Sequence, residues 1–238
     1  MTGPAKYYQK KKQVLHDKCD KTLLKYFNNF DETAHLLDIG SGKLGAFNHP
    51  IIDKFNRISM DIDIDALNNN TTTDMKVCAD ARILPFKTHS IDAAISRDCL
   101  EHIKDVESLF SELQRSMKPN GIFITLIPNF LYFVNFFAFM LPEKLSDYIW
   151  YILKGINKMP YPVFYEINTA RKWNLFSKRY NYKIEHLEYY HQVSHWFLRF
   201  PTPLFWLIEF LQLPLNLPIL KKFRSTILIA VKFNPSQQ

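Results

Sequence analysis

The segment Leu36-Leu37-Asp38-Ile39-Gly40-Ser41-Gly42-Lys43-Leu44-Gly45 constrains this chain more than any other: a short apolar strand carrying one acid runs into a turn with glycine at three of its six positions. Glycine accepts positive φ and leaves neighbouring amides uncovered, so a ligand can lie close to such a backbone. A small-molecule site at the end of a buried strand is the first expectation.

The Gly40-x-Gly42-x-x-Gly45 spacing is also that of a dinucleotide fingerprint, and an acid follows about twenty residues on, as that fingerprint requires. A nicotinamide-binding oxidoreductase is therefore the alternative reading. Asp38 separates the two. It lies two residues before the first glycine, where a nicotinamide-binding strand is apolar, and its carboxylate would repel a pyrophosphate but attract a cationic amino group. S-adenosylmethionine carries such a group.

Two further segments repeat the pattern of a strand ending in an acid, and a fourth apolar strand follows them. Arg57 to Asp63 reads as a second strand, with Asp61 placed to accept hydrogen bonds from ribose hydroxyls. Val77-Cys78-Ala79-Asp80-Ala81 ends a third, with Asp80 placed to accept from an exocyclic adenine amine, and Leu84-Pro85-Phe86 follows. Ser90 to Ser96 is a fourth, leading into Arg97-Asp98 and Cys99-Leu100-Glu101-His102.

In order and spacing these segments resemble the class I S-adenosylmethionine-dependent methyltransferases, of the group whose pattern runs DxGxG, GxDxD, DA-x-x-LPF, SxD and LEH. The resemblance covers about residues 35 to 128. Two departures stand out: Lys43-Leu44 delays the third glycine to Gly45, and Ser59 replaces the glycine before Asp61. The resemblance implies an α/β fold, a Rossmann-like doubly wound sheet of seven strands, mostly parallel with an antiparallel last strand and helices on both faces. It implies S-adenosylmethionine as cofactor, held by Asp38, Gly40, Gly42, Asp61, Asp80, Ala81 and Arg97. It also places substrate recognition near Tyr161 to Thr169, where Tyr165 and Asn168 are the polar candidates.

The rest of the chain organises around that core. Residues 1–30 read as a basic helical segment, with helical spacing of apolar residues from Val14 to Phe30, and 31–128 as the cofactor-binding core. A helix is predicted over Asp98–Met117 and a fifth strand over Ile122–Ile127, after Pro119-Asn120-Gly121. Residues 129–168 form a hydrophobic, aromatic insertion or lid. Residues 169–238 complete the sheet: Thr169 caps a helix, Lys183–Tyr190 and Thr226–Phe233 are the closing strands, and Pro203–Leu220 is a second apolar run. The first apolar run is interrupted by Pro128, Asn129 and Asn135 and the second carries Glu209, Pro214 and Pro218, so neither is expected to span a membrane.

At 238 residues the chain can bury a full core, and its formal charge is +7. Lys6, Lys10, Lys11, Lys12 and Lys18 near one end, with Lys221, Lys222 and Arg224 near the other, read either as solvated faces or as contacts with an anionic membrane surface. No nucleic acid is expected, because no binding module for it accompanies the lysines. The three cysteines lack metal-ligand spacing, and no leader opens the chain, so a cytoplasmic location, at most peripheral to a membrane, is expected. No metal is expected either: His191 and His195 are four apart but follow a strand, where i, i+4 geometry does not converge.

The activity this implies is methyl transfer to a small-molecule, glycan or lipid-linked acceptor; besides an oxidoreductase, a non-catalytic membrane-associated module that kept the fold is the other class. His102 is the candidate base, since imidazole titrates near neutrality, and a base is needed only where the attacking atom carries a proton.

Overall fold

The computed structural model describes residues 3–73, 75–142, 145, 151 and 161–234, and all but two side chains of these, those of His195 and Trp196. The chain divides into two compact units. An aromatic unit gathers Met1–Cys19, Pro128–Val163 and Tyr189–Ile227; a sheet unit gathers Asp20–Ile127, Phe164–Glu188 and Leu228–Gln238. The first residues, the insertion and the second apolar run therefore belong together, although they are far apart in sequence. Most of 143–160, the middle of the expected insertion or lid, lies outside the described residues.

The sheet has seven strands: β1 (His35–Ile39), β2 (Asn56–Asp61), β3 (Lys76–Cys78), β4 (Ile91–Arg97), β5 (Met117–Pro128), β6 (Tyr182–Tyr190) and β7 (Thr226–Phe233). Their order is β3-β2-β1-β4-β5-β7-β6. The first five run parallel, whereas β7 lies antiparallel to β5 and to β6. The strands are apolar because the central ones are covered on both faces: Leu36, Leu37, Ile39, Ala93, Ala94 and Ile95 have no exposed surface.

The helices are α1 (Gly3–Phe27), α2 (Pro50–Asp53), α3 (Ile64–Asn68), α4 (Val106–Ser116), α5 (Phe133–Met140), α6 (Ala170–Arg179) and α7 (Thr202–Gln212). Beside the sheet, α4 and α6 meet through Phe110, whose ring centroid lies 5.3 Å from that of Trp173 and 5.1 Å from that of Phe176. Trp173, Phe110 and Phe123 are fully buried, each contributing about 2–3 kcal/mol over an exposed position. Phe27 of α1 packs edge-on against Phe55 just before β2.

α1 runs Gly3–Phe27 within the expected 1–30 helical segment, starting well before Val14, where the apolar spacing begins, with Pro4 in its first turn, where proline costs no hydrogen bond. Two boundaries differ from the sequence expectation. The helix expected over Asp98–Met117 is broken: a short 3-10 turn, Leu100–His102, precedes α4, and Asp105 between them has a left-handed backbone (φ 62). Glu166 secures that break, its carboxylate accepting from Asp105 N at 3.2 Å and Val106 N at 3.0 Å. Finally, β5 begins at Met117, and Pro119-Asn120-Gly121 is absorbed as an irregularity in its pairing with β4. Thr169 caps α6 as expected, its Oγ1 accepting from Lys172 N.

Candidate functional site

Parallel strands bring their carboxyl ends to one edge. Register pairs Ile39 of β1 with Met60 of β2 and Ser96 of β4, and Asp61 with Cys78 of β3. The glycine turn, Asp61, Asp80 and the Arg97–His102 segment therefore share that edge. β1 is followed outward by β2 and β3, while β4 lies on its other side, so the topological switch point falls between β1 and β4. Ligands of open α/β sheets bind there.

The glycine turn is built by conformation and by crowding. Gly40, Gly42 and Gly45 all have positive φ (69°, 49° and 70°). A Cβ on Gly40 would collide with the Cys99 side chain, so β1 and β4 close tightly at the switch point; one on Gly42 would meet nothing within 4 Å. Gly45, the displaced third glycine, is required by the protein itself: a side chain there would strike the guanidinium of Arg57 and the carboxylate of Asp38.

Asp38 is fully buried. Its Oδ2 accepts from Arg57 Nη2 at 2.6 Å and Ala46 N at 3.1 Å, while Oδ1 has no hydrogen-bond partner among the described residues. Burial raises its pKa and outweighs the neighbouring guanidinium, which acts the other way. Asp61 accepts from Gly42 N at 2.8 Å through Oδ2 and from Asp63 N at 2.9 Å through Oδ1, tying the turn to the end of β2. Asp63 caps α3 instead, accepting from Asp65 N and Ala66 N.

Asp80 is engaged with a neighbour. Both its oxygens receive Arg82 side-chain hydrogens at 2.6–3.0 Å, and that pairing holds its carboxyl below the usual range. Ala81 follows in the same turn, half-buried. Arg97 Nε lies 3.5 Å from Asp98 Oδ2. Asp98 has a left-handed backbone (φ 49) and keeps 59% of its side-chain surface accessible.

Glu101 is the buried acid of this segment. Its carboxyl lies well above the usual range, first from burial and then from the proximity of Asp98. His102 Nε2 stands 3.9 Å from Glu101 Oε1, with about a quarter of its side chain accessible. The Glu101 carbonyl accepts from Phe164 N at 2.7 Å and Tyr165 N at 3.4 Å, which brings the expected recognition segment to this edge. Tyr165 has a left-handed backbone (φ 52), and burial together with Glu101 pushes its hydroxyl up to about 12. Non-glycine residues in this region are costly and cluster at functional sites. Asn168 has no accessible surface. Burial beside Glu101 and Asp61 also pushes the Cys99 thiol up to about 12, so it is no thiolate at neutral pH.

Sequence reading missed Arg57, Glu101 and the closure of Cys99 on Gly40. The signal for Arg57 was there: a lone cation inside an apolar strand demands a buried partner.

The strand order, with β7 antiparallel, is that of the Rossmann-like methyltransferase fold. Residues 37–125 match the family described as a methyltransferase domain. Over 109 residues, 42% of this chain, it is 31% identical to phosphoethanolamine N-methyltransferase 2 of Caenorhabditis elegans. The chain spans 25% of that protein's length and 46% of another curated relative's. Among solved structures, it resembles geranyl diphosphate C-methyltransferase of Streptomyces coelicolor at a TM-score of 0.52 and 14% identity, covering 92% of this chain and 80% of that one. A methyltransferase from Archaeoglobus fulgidus gives 0.55 and 16% over 91% and 94% of the two chains. At such identities these structures speak for the fold.

The donor set fits S-adenosylmethionine, the cofactor of this family. Asp38 Oδ1 is a buried acceptor with spare capacity for a cation, and Gly42 leaves open space over a left-handed turn. Asp61, with one amide on each oxygen, retains lone pairs for ribose hydroxyls.

Proposed function

We propose that this protein transfers a methyl group from S-adenosylmethionine to a small-molecule, glycan or lipid-linked acceptor. The observation that carries the reading is the convergence, at one switch point, of the glycine turn, the Asp38 acceptor and Asp61. In it Asp38 and the amides of the Gly40–Gly42 turn hold the amino-acid part of the cofactor. Asp61 accepts from the ribose, while Asp80 and Ala81 flank the adenine and Arg97 adds a polar contact. The relatives named above act on phosphoethanolamine and on geranyl diphosphate, which supports a small or lipid-related acceptor over a polymer.

The bound cofactor supplies a methyl already activated by its sulfonium, so the protein's task is to align an acceptor atom behind it. The Asp98–His102 segment and Tyr165 border that position in this reading. The left-handed backbones of Asp98 and Tyr165 set the directions of their side chains before anything binds. Where the acceptor atom carries a proton, His102 takes it, with Glu101 beside the ring.

Calorimetry with S-adenosylmethionine and with NAD tests the cofactor half: micromolar binding of the first supports the reading, and binding of NAD alone overturns it. Mass spectrometry of polar and lipid extracts incubated with protein and labelled cofactor tests the rest. Products heavier by one labelled methyl support it; no transfer to any extract, with the cofactor bound, leaves a binding module.

A further inference from the structure

In the aromatic unit, burial runs against polarity. Helix α7 hides Glu209 and Gln212, 4% and 1% exposed, while Leu207, Phe210 and Leu211 stand 52–67% exposed. The hidden groups are satisfied: the Tyr132 hydroxyl donates to Gln212 Oε1, Gln212 Nε2 to Glu209 Oε1 at 3.5 Å, and Tyr7 hydrogen-bonds to Glu209. α5 has no buried residue, and its Phe137 and Met140 are more than 60% exposed. In the short helical segment Pro218–Phe223, exposed Ile219 and Phe223 alternate with exposed Lys221 and Lys222. These elements are tied together, since Asn129, just before α5, donates from Nδ2 to the Lys222 carbonyl at 2.9 Å. A water-facing helix has its polar residues outside, and exposed apolar surface on this scale marks an interaction site.

Charge is divided along the same line. The segments of the aromatic unit hold twelve Lys and Arg against four Asp and Glu, a formal +8. Those of the sheet unit hold eighteen against nineteen, a formal −1. The whole positive balance thus accompanies the exposed aromatics. Nucleic acid would use the lysines and leave Phe210 and Leu211 in water, and an apolar protein pocket would use the aromatics without the charge. An anionic bilayer uses both, the rings entering the interface and the lysines meeting headgroups. No helix among the described residues is long and apolar enough to cross a membrane, so the fitting mode is to lie on one.

We propose that the exposed apolar side chains of α5, α7 and the Pro218–Phe223 segment, with Lys221 and Lys222, dock this protein on anionic lipid bilayers. This stands apart from the methyl-transfer reading, and its test uses no acceptor.

The full chain is co-sedimented with vesicles of phosphatidylcholine alone or containing about 30% phosphatidylglycerol. The protein is expected to pellet with the anionic vesicles and to bind neutral ones at least about tenfold more weakly. Leu207→Glu/Phe210→Glu/Leu211→Glu is expected to lose vesicle binding while keeping its circular dichroism and S-adenosylmethionine affinity. Lys221→Gln and Lys222→Gln should each weaken anionic binding about fivefold. Should the triple variant misfold, brominated lipid decides: it should quench the wild type and fail to quench the corresponding share in Trp206→Phe. The proposal is overturned if the wild type stays in solution with both vesicles, or if the folded triple variant pellets as before. It is equally overturned if sedimentation velocity shows a dimer that the triple variant abolishes while vesicles bind neither protein, which would make the face a contact with a second copy.

Discussion

Arg57 Nη2 stands 2.6 Å from Asp38 Oδ2, joining two neighbouring strands beneath the glycine turn, with side-chain exposures of 7% and 0%. The pair is incompletely satisfied, since Asp38 Oδ1 and Arg57 Nε have no hydrogen-bond partner among the described residues. Buried pairs of this kind add little net stability, but removing one partner strands the other charge. Arg57→Met should therefore lose about 3–5 kcal/mol at pH 8 by urea unfolding. The loss should shrink at pH 4 to 5, because an unpaired Asp38 then takes up a proton, and Asp38→Asn/Arg57→Met should recover part of it at pH 8. A loss in Arg57→Met that does not vary with pH would mean that packing, not charge, is what Arg57 supplies.

The same pair predicts a hierarchy among the glycines. Gly42→Ala meets open space and should cost only the left-handed backbone term, about 1–2 kcal/mol. Gly45→Ala must in addition displace the Arg57 guanidinium, and Gly40→Ala the Cys99 side chain, so both should be clearly less stable than Gly42→Ala. Thermal unfolding of the three variants checks the order. If Gly42→Ala nonetheless loses S-adenosylmethionine binding the most, the open space over its turn is where the cofactor lies.

Asp61 carries two loads, the Gly42 and Asp63 amides and, in our reading, the ribose. Asp61→Ala should weaken S-adenosylmethionine binding about ten- to hundredfold by calorimetry, with a moderate loss of stability from the loosened turn. Unchanged affinity would mean that the ribose lies elsewhere.

Two buried groups give opposite pH signatures. Burial, with Lys11 and Arg224 nearby, lowers His191 to about 4, so the folded state keeps it neutral while the unfolded chain protonates near 6.5. Stability should fall as pH drops from about 6.5 towards 4, and His191→Phe should flatten that slope. Glu101 is shifted upward, so the stability tied to its neutral form is present below about 4.5 and is lost as pH rises through its folded pKa. Glu101→Gln should match the wild type at pH 4 and exceed it increasingly above. Parallel urea series across pH 4 to 9 check both.

The acids at strand ends and the glycine turn were legible because both signals are local. A strand's apolar run, its terminal carboxylate and the φ tolerance of glycine are each carried by a few adjacent residues. So were the seven strands and the Thr169 cap, whereas the antiparallel last strand was implied by the family resemblance alone. Helix boundaries around Asp105 were not legible, because the break depends on Glu166, some sixty residues away, capping the next helix. The partner of Asp38 was equally distant from local view: only β1–β2 pairing reveals that Arg57, and not only a ligand, answers its charge.

By itself, then, the sequence determined the order of strands along the chain and the chemistry at their ends, since these follow from residue type and short spacing. Tertiary structure alone decided how each acid is partnered, Asp80 by Arg82 and Asp63 by the amides that open α3. It alone also gathered three remote segments into one unit and turned the polar side of α7 inward. Burial and charge pairing arise between residues far apart in the chain, and no local pattern encodes them.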